Sequence, residues 1–349
     1  MLRGLPPILV APLPDIAGFR IRPGIVDFHG DGFERHLAPR RGALKDLGEG
    51  LIALDAELAA NGITTAYLAQ FWSWEGGMRG PDFARSLVAA LQETKPRLFT
   101  DMRLQLRVET HMTHDFDAID AFVAQNEIGV VVFNDHLPHE ALEEGRKPPR
   151  LQGQALKARR SPESHWKLLQ DLHRRSDESQ GAVAALTKSL LARGVIVGSH
   201  DDETPESRHW FRDQGAHVAE FPVTQAALEA AWPDDIVVLG APNVMRGGSH
   251  KSGLSAREAV AQGTCDILCS DYHYPAPRLA AMALESAGVE AWPLISEAPA
   301  RALRLRDRGR LEPGCRADLT VLDGAGRVVG TMAAGRWGYL TAPLIEALA

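Results

Sequence analysis

The chain has 349 residues, enough for one large domain or two modest ones, and its 45% hydrophobic and 24% charged content is that of an ordinary globular protein. A net charge of −7 argues against general nucleic-acid binding, and no apolar run approaches the roughly 18 residues that span a bilayer. Three cysteines (Cys265, Cys269, Cys315) make no disulfide framework, so the expectation is a reduced, cytoplasmic protein with neither nucleic acid nor membrane as partner.

Residues 1–22 are rich in proline, with strand character only around Ile8–Val10. Eight short apolar runs follow: Gly24–Phe28, Ile63–Leu68, Leu104–Val108, Val130–Phe133, Val195–Gly198, His217–Phe221, Ile236–Leu239 and Cys265–Ser270. Several are nearly continuous rather than alternating, the pattern of strands buried on both faces of a parallel sheet. Helical spacing recurs between them, at Leu51–Ala60 before Asn61-Gly62, at Gly181–Arg193 before Gly194 and at Ser255–Gln262 before Gly263. Strands alternating with helices, eight times over, predict an α/β fold: a (β/α)8 TIM-like barrel over 23–306. The turn-rich stretch after Arg306 and the runs Ala317–Leu322 and Val328–Gly330 predict a small β domain, built from the chain termini, 1–22 and 307–349.

Reactive groups of such a barrel gather at the C-terminal ends of its strands. Those positions hold His29 and Asp31; Glu109, followed by His111 and His114; Asp135-His136; Ser199-His200-Asp201-Asp202; Glu220; Asn243; and Asp271, followed by His273. No single member is informative, but chance does not place His, Asp or Glu at nearly every strand end. In His29-Gly30-Asp31, residues i and i+2 of an extended segment point the same way and can face one ion together. Imidazole and carboxylate donors suit a divalent metal, zinc foremost with manganese or iron as alternatives. His29, Asp31, Glu109, His136, His200 and Asp271 are the expected ligands, for two ions bridged by Glu109. Asp271 is the expected acceptor of a proton from water that the metal acidifies. His111, His114, His139 and His273 are left between supporting and substrate-facing roles, and one of Asp201 and Asp202 could be only a helix cap.

Two further segments bear on the substrate. Arg246-Gly247-Gly248-Ser249-His250 combines a guanidinium with exposed backbone N–H groups, which suits an anion, although a plain flexible loop has the same composition. The segment 146–160 carries Arg146, Lys147, Arg150, Lys157, Arg159 and Arg160 with no acidic residue, inside a long insertion where a lid belongs. A solvated loop is the plainer reading of that run. A basic lid over a metal centre points instead to a small polyanionic substrate.

The blocks Pro23–Asp31, Asn61–Thr65 and Gly314–Leu319 resemble the amidohydrolase superfamily. Gly198–Asp202, Ala219–Pro222, Gly240–His250 and Ser270–Tyr272 are similar, within it, to the PhnM-type enzymes of phosphonate metabolism. The similarity runs over about residues 22–322. It implies a distorted barrel beside a small β domain. It also implies hydrolysis of α-D-ribose 1-methylphosphonate 5-triphosphate to the 5-phosphate and pyrophosphate, in the carbon–phosphorus lyase pathway. In that scheme a metal-activated hydroxide attacks the α-phosphorus and Asp271 handles the proton. Arg246, Gly247, Gly248, His250, Asp201, Asp202, Arg150 and Arg159 would hold the phosphorylated substrate. Two departures stand out: Asp31 replaces the second histidine of the usual His-x-His, and no lysine stands where many members bridge their metals with a carboxylated lysine. The alternative activity is cleavage of a C–N bond as a cyclic amidase, deaminase or deacylase, and a non-catalytic barrel is a third reading. Oligomeric state stays open, a homodimer being the commonest closed assembly.

Overall fold

The computed structural model describes residues 16–38, 46–247 and 254–349. The expectation for Ile8–Val10, and those for Gly248 and His250, lie outside the described residues. Twelve strands occur among the described residues, in chain order: β1 Arg20–Pro23, β2 Ile25–Gly30, β3 Ile63–Trp72, β4 Asp101–Glu109, β5 Val130–Asn134, β6 Ile196–His200, β7 Val218–Glu220, β8 Ile236–Gly240, β9 Ile267–Cys269, β10 Leu319–Leu322, β11 Val328–Ala333 and β12 Arg336–Leu340. β2 to β9 form one parallel sheet in sequential order. A bridge between Gly30 and Asp271 brings the last strand back to the first, so the sheet is a nearly closed barrel, as the alternation of elements predicts. β1 joins β10, β11 and β12 in a separate antiparallel sheet.

The barrel forms because its strands sort side chains by the two-residue period of extended chain. Tyr67, Val130, Val132, Val218, Val238, Ile267 and Cys269 pack together in one core cluster. Their strand neighbours Leu68, Val131, Phe133, Val237 and Leu268 join the larger cluster that covers the barrel with helices. Those helices include Leu47–Ala60, Pro81–Thr94, Phe116–Gln125 and Pro205–Asp213. Their starts are fixed by local chemistry: the Asp46 side chain accepts from the Gly48 N–H, and Thr204 from Ser207. No described helix is long and apolar enough to cross a membrane.

β2 is the exception to simple alternation, and it shapes the site. Val26 and Phe28 belong to the inner cluster, so strict alternation would turn His29 outward. Between Asp27 and Gly30 the pairing with β3 slips: Asp27 pairs with Ala66 but Gly30 with Leu68, one extra residue in β2. A bulge of this kind re-aims a side chain. It lets one strand supply Phe28 to the apolar plug and His29 to the layer above. Gly30 follows because a Cβ there would stand 2.8 Å from both Asp27 Oδ2 and Ser270 Oγ.

The insertion between β5 and β6 is not a continuous loop. It contains the helices His139–Glu143, Leu151–Lys157, Pro162–Arg174 and Ser176–Ala192. Its basic stretch lies against the turn after β3, where Arg160 donates to the Trp74 carbonyl at 2.6 Å.

Candidate active site

At the C-terminal mouth of the barrel lies a cavity of about 360 Å³, bordered by Asp31, Arg107, His136, His200, Asp201 and Asp271 among others. Three backbones at this rim are left-handed: Asp201 (φ 59°) and Phe221 (φ 56°), each directly after a barrel strand, and Asp271 (φ 55°), two residues past the end of β9. L-residues pay for that conformation, and strain of this kind collects where the chain must turn a side chain toward a site. Backbone bonds hold the seam in place, from Asp271 N–H to the His29 carbonyl at 3.0 Å and from Asp31 N–H to the Asp271 carbonyl at 2.9 Å.

The structure gathers ligand-type atoms into three sets here. His29, Asp31 and Asp271 converge, and His29 converges also with His200 and Glu220, while Glu75, Glu109 and His136 form the third. His29 and His200 stack with ring centres 5.4 Å apart, and Phe221 meets both edge-on. Glu220 lies between them, 2.9 Å from His29 Nδ1 and 2.6 Å from His200 Nδ1. Burial opposes its ionisation, but the two imidazoles hold its carboxyl well below the usual range. Burial, with Arg107 nearby, pushes His200 down to about 4. Burial, with Asp31 beside it, pushes Asp271 up to about 6.

Glu109 stands with the third set rather than with His29 and His200. Its carboxylate accepts from Trp74 Nε1 at 3.1 Å, from the His136 N–H at 3.2 Å and from the Asn134 amide, and His136 Nδ1 is 2.7 Å away. Against its burial, bonds to Glu109 and Glu75 raise His136 to about 9. The carboxylate that touches both central imidazoles is Glu220, which strand-end reasoning noted without giving it a role.

The remaining expected residues divide. Asp201 borders the cavity. Asp202 turns away into a buried pair with Arg208 at 3.1 Å and accepts from Ser199 Oγ at 2.5 Å; the next helix is capped by Thr204. Arg246 borders the cavity and bonds the Tyr272 hydroxyl. Gly247 caps its helix in a left-handed turn (φ 81°). Arg150 and Arg159 are exposed and do not border this cavity. His111 and His139 meet at Asp135 instead, with His139 Nδ1 2.8 Å from His173 Nδ1. Arg107 and Arg79 border the cavity and were not anticipated. The signal was present in Leu-Gln-Leu-Arg-Val-Glu (104–109), where alternation puts Gln105, Arg107 and Glu109 on one face.

No family model matches the chain. It is 31% identical, over 322 residues, to alpha-D-ribose 1-methylphosphonate 5-triphosphate diphosphatase of Escherichia coli (strain K12), an alignment that covers 88% of this chain and 84% of that protein. Among solved structures, N-acetylglucosamine-6-phosphate deacetylase from Pasteurella multocida matches with a TM-score of 0.56 and 12% identity, covering 92% of this chain and 87% of that one. The N-acetyl-D-glucosamine-6-phosphate deacetylase from Mycobacterium smegmatis matches with a TM-score of 0.53 and 18% identity, covering 92% and 88%. Likeness at those identities shows the shared fold alone. The sequence match is of another order: it spans nearly the whole chain, and it places the protein in the alpha-D-ribose 1-methylphosphonate 5-triphosphate diphosphatase family of metal-dependent hydrolases, within the amidohydrolase superfamily.

Proposed function

We propose that the chain hydrolyses alpha-D-ribose 1-methylphosphonate 5-triphosphate to the 5-phosphate and pyrophosphate, with divalent metal held at the barrel mouth. The carrying observation is the convergence of His29, Asp31 and Asp271 at a cavity that Asp31, Asp271 and Arg246 border. The donor set suits a divalent ion. His29 is fully buried; its Nδ1 faces Glu220 at 2.9 Å, and its Nε2 has no hydrogen-bond partner, an arrangement that is costly unless something else occupies it. His29, Asp31 and Asp271, with His200 and Glu220 beside them, would hold one ion; Glu109 and His136, with Glu75, offer donors for a second. Zinc fits this mixture of nitrogen and oxygen donors, and manganese is the next choice. Such an ion supplies Lewis acidity, polarising a phosphoryl oxygen and acidifying water at neutral pH.

The chain's own groups do the rest. Asp271, raised toward neutrality, takes the proton of the attacking water. The new oxygen–phosphorus bond forms at the α-phosphorus, the α–β bridging bond breaks, and its electron pair leaves with pyrophosphate. Phe221 and the layer of Phe28, Val132 and Val238 close the floor against bulk water.

The test is pyrophosphate release from this triphosphate by enzyme reloaded with Zn²⁺ or Mn²⁺, against a metal-stripped sample. Metal-dependent turnover is expected. Turnover no better than in the stripped sample would overturn the reading.

A further inference from the structure

Among the described residues, Arg107 is a buried cation without a contact anion. It is 4% exposed, its Nε is enclosed with no hydrogen-bond partner, and no carboxylate oxygen of the described residues lies within ion-pair distance of it. Its guanidinium lies over the Phe71 ring at 4.0 Å. A ring face offsets part of a desolvated charge but accepts none of the in-plane N–H bonds. A buried charge in this state calls for a partner, and Arg107 borders the active-site cavity.

Arg79 completes the feature. It reaches the same ring, with its guanidinium 4.4 Å from the centre, and borders the same cavity. Glu75 at 3.1 Å and Glu34 at 3.6 Å hold it from behind. Arg79 is therefore an anchored cation, and Arg107 a deeper one with open donors. Arg246 stands at the rim, engaged with Tyr272.

We propose that Arg107 and Arg79, gathered on Phe71, form the receptor for the β- and γ-phosphates, so that they bind the pyrophosphate that departs. The assignment rests on the proposed hydrolysis of a triphosphate. It names two residues outside the metal-ligand set and outside the basic insertion. Two guanidiniums at one ring can each grip a phosphoryl group through paired N–H donors, which lysines cannot reproduce. The receptor orients the leaving group away from Asp271 and offsets the charge that builds on it as the α–β bond breaks.

The probe is inorganic pyrophosphate, titrated calorimetrically into full-length enzyme with and without its metal, next to orthophosphate and methylphosphonate. Wild-type protein should prefer pyrophosphate. Arg107→Met should weaken it at least tenfold, with metal content unchanged by elemental analysis. Arg107→Lys keeps the charge but loses the fork, and should recover only part of the affinity. Should Arg107→Met fail to fold, Arg79→Met and Arg107→Lys still report, each weakening pyrophosphate several-fold. Pyrophosphate affinity within twofold of wild type in the folded variants overturns the receptor. Arg107-dependent pyrophosphate binding in an enzyme that leaves the ribosyl triphosphate intact keeps the receptor and overturns only the substrate.

Discussion

In the proposed reaction Asp271 carries the heaviest chemical load of any single residue, and its surroundings fit it to serve as a base. Burial and the neighbouring Asp31 carboxylate raise it to about 6, and the left-handed backbone fixes the direction of its side chain. Asp271→Asn keeps size and polarity and removes the proton acceptor. It should lower kcat by ~10²–10⁴-fold. Thermal stability should hold or rise, because the variant no longer places two carboxylates side by side. A kcat within threefold of wild type would remove Asp271 from the proposed chemistry. His29, Asp31 and Asp271 were legible in the sequence as polar residues ending apolar runs, and the structure does bring those three together. Arg107 was not singled out, because it lies inside a strand, where a charged residue is hidden by the apolar run around it. The partnership of Glu220 with both histidines was equally hidden, since it depends on the lateral order of β2, β6 and β7 and not on any spacing along the chain.

Among the elements, the short helix Glu34–Leu37 links site and scaffold. Its Arg35 and His36 both bind Glu57, on the helix Leu47–Ala60, and Arg35 also donates to the Tyr272 carbonyl at the cavity rim at 3.0 Å. The His36 hydrogen bond, against burial and with the charge of Arg35, lowers the Glu57 carboxyl below its ordinary value of 4.5. The sign follows from linkage: a carboxylate depressed in the folded state stabilises fully above its unfolded pKa. That contribution fades as pH falls from about 4.5 through the lower folded value. Glu57→Gln should therefore melt below wild type at pH 6–7, and the two curves should converge as pH drops toward 3. A gap that stayed constant with pH would mean the glutamate acts by packing alone. The strands were legible because burial on both faces leaves an unmistakable apolar run. In the 139–192 insertion the helical spacing of Gly181–Arg193 announced the last helix, Ser176–Ala192, but the three before it were hidden by their polar composition, even though Ser161-Pro162-Glu163 opens Pro162–Arg174 with a cap, a first-turn proline and an acid.

Over the whole molecule, polar ties reinforce the junction of the two sheets, where Leu322 and Val328 also join the core cluster of the barrel. The Thr320 and Thr331 hydroxyls donate to the carbonyls of Gly62 and Ala59, at 2.9 and 2.7 Å. Arg308, 5% exposed, reaches Asp101 at 2.7 Å and Thr65 Oγ1 at 2.9 Å at the starts of two barrel strands. Arg308→Met should cost about 3 kcal/mol, the lower end for breaking a buried ion pair, because Arg103 and Arg316 still face Asp101. Denaturant melts would measure it, and a loss under 1 kcal/mol would make the tie decorative. The seam has a different consequence. Asp27 and Ser270, bonded at 2.8 and 2.5 Å where the barrel closes, stand 243 residues apart. A ribosome therefore releases His29 early and Asp271 late, and no partly made chain owns the complete floor of the site. With the proposed metal site, loading belongs to the final act of folding, after nearly all of the barrel has been synthesised, and a chain cut short before its last barrel strand carries half of the proposed ligand set and cannot close it.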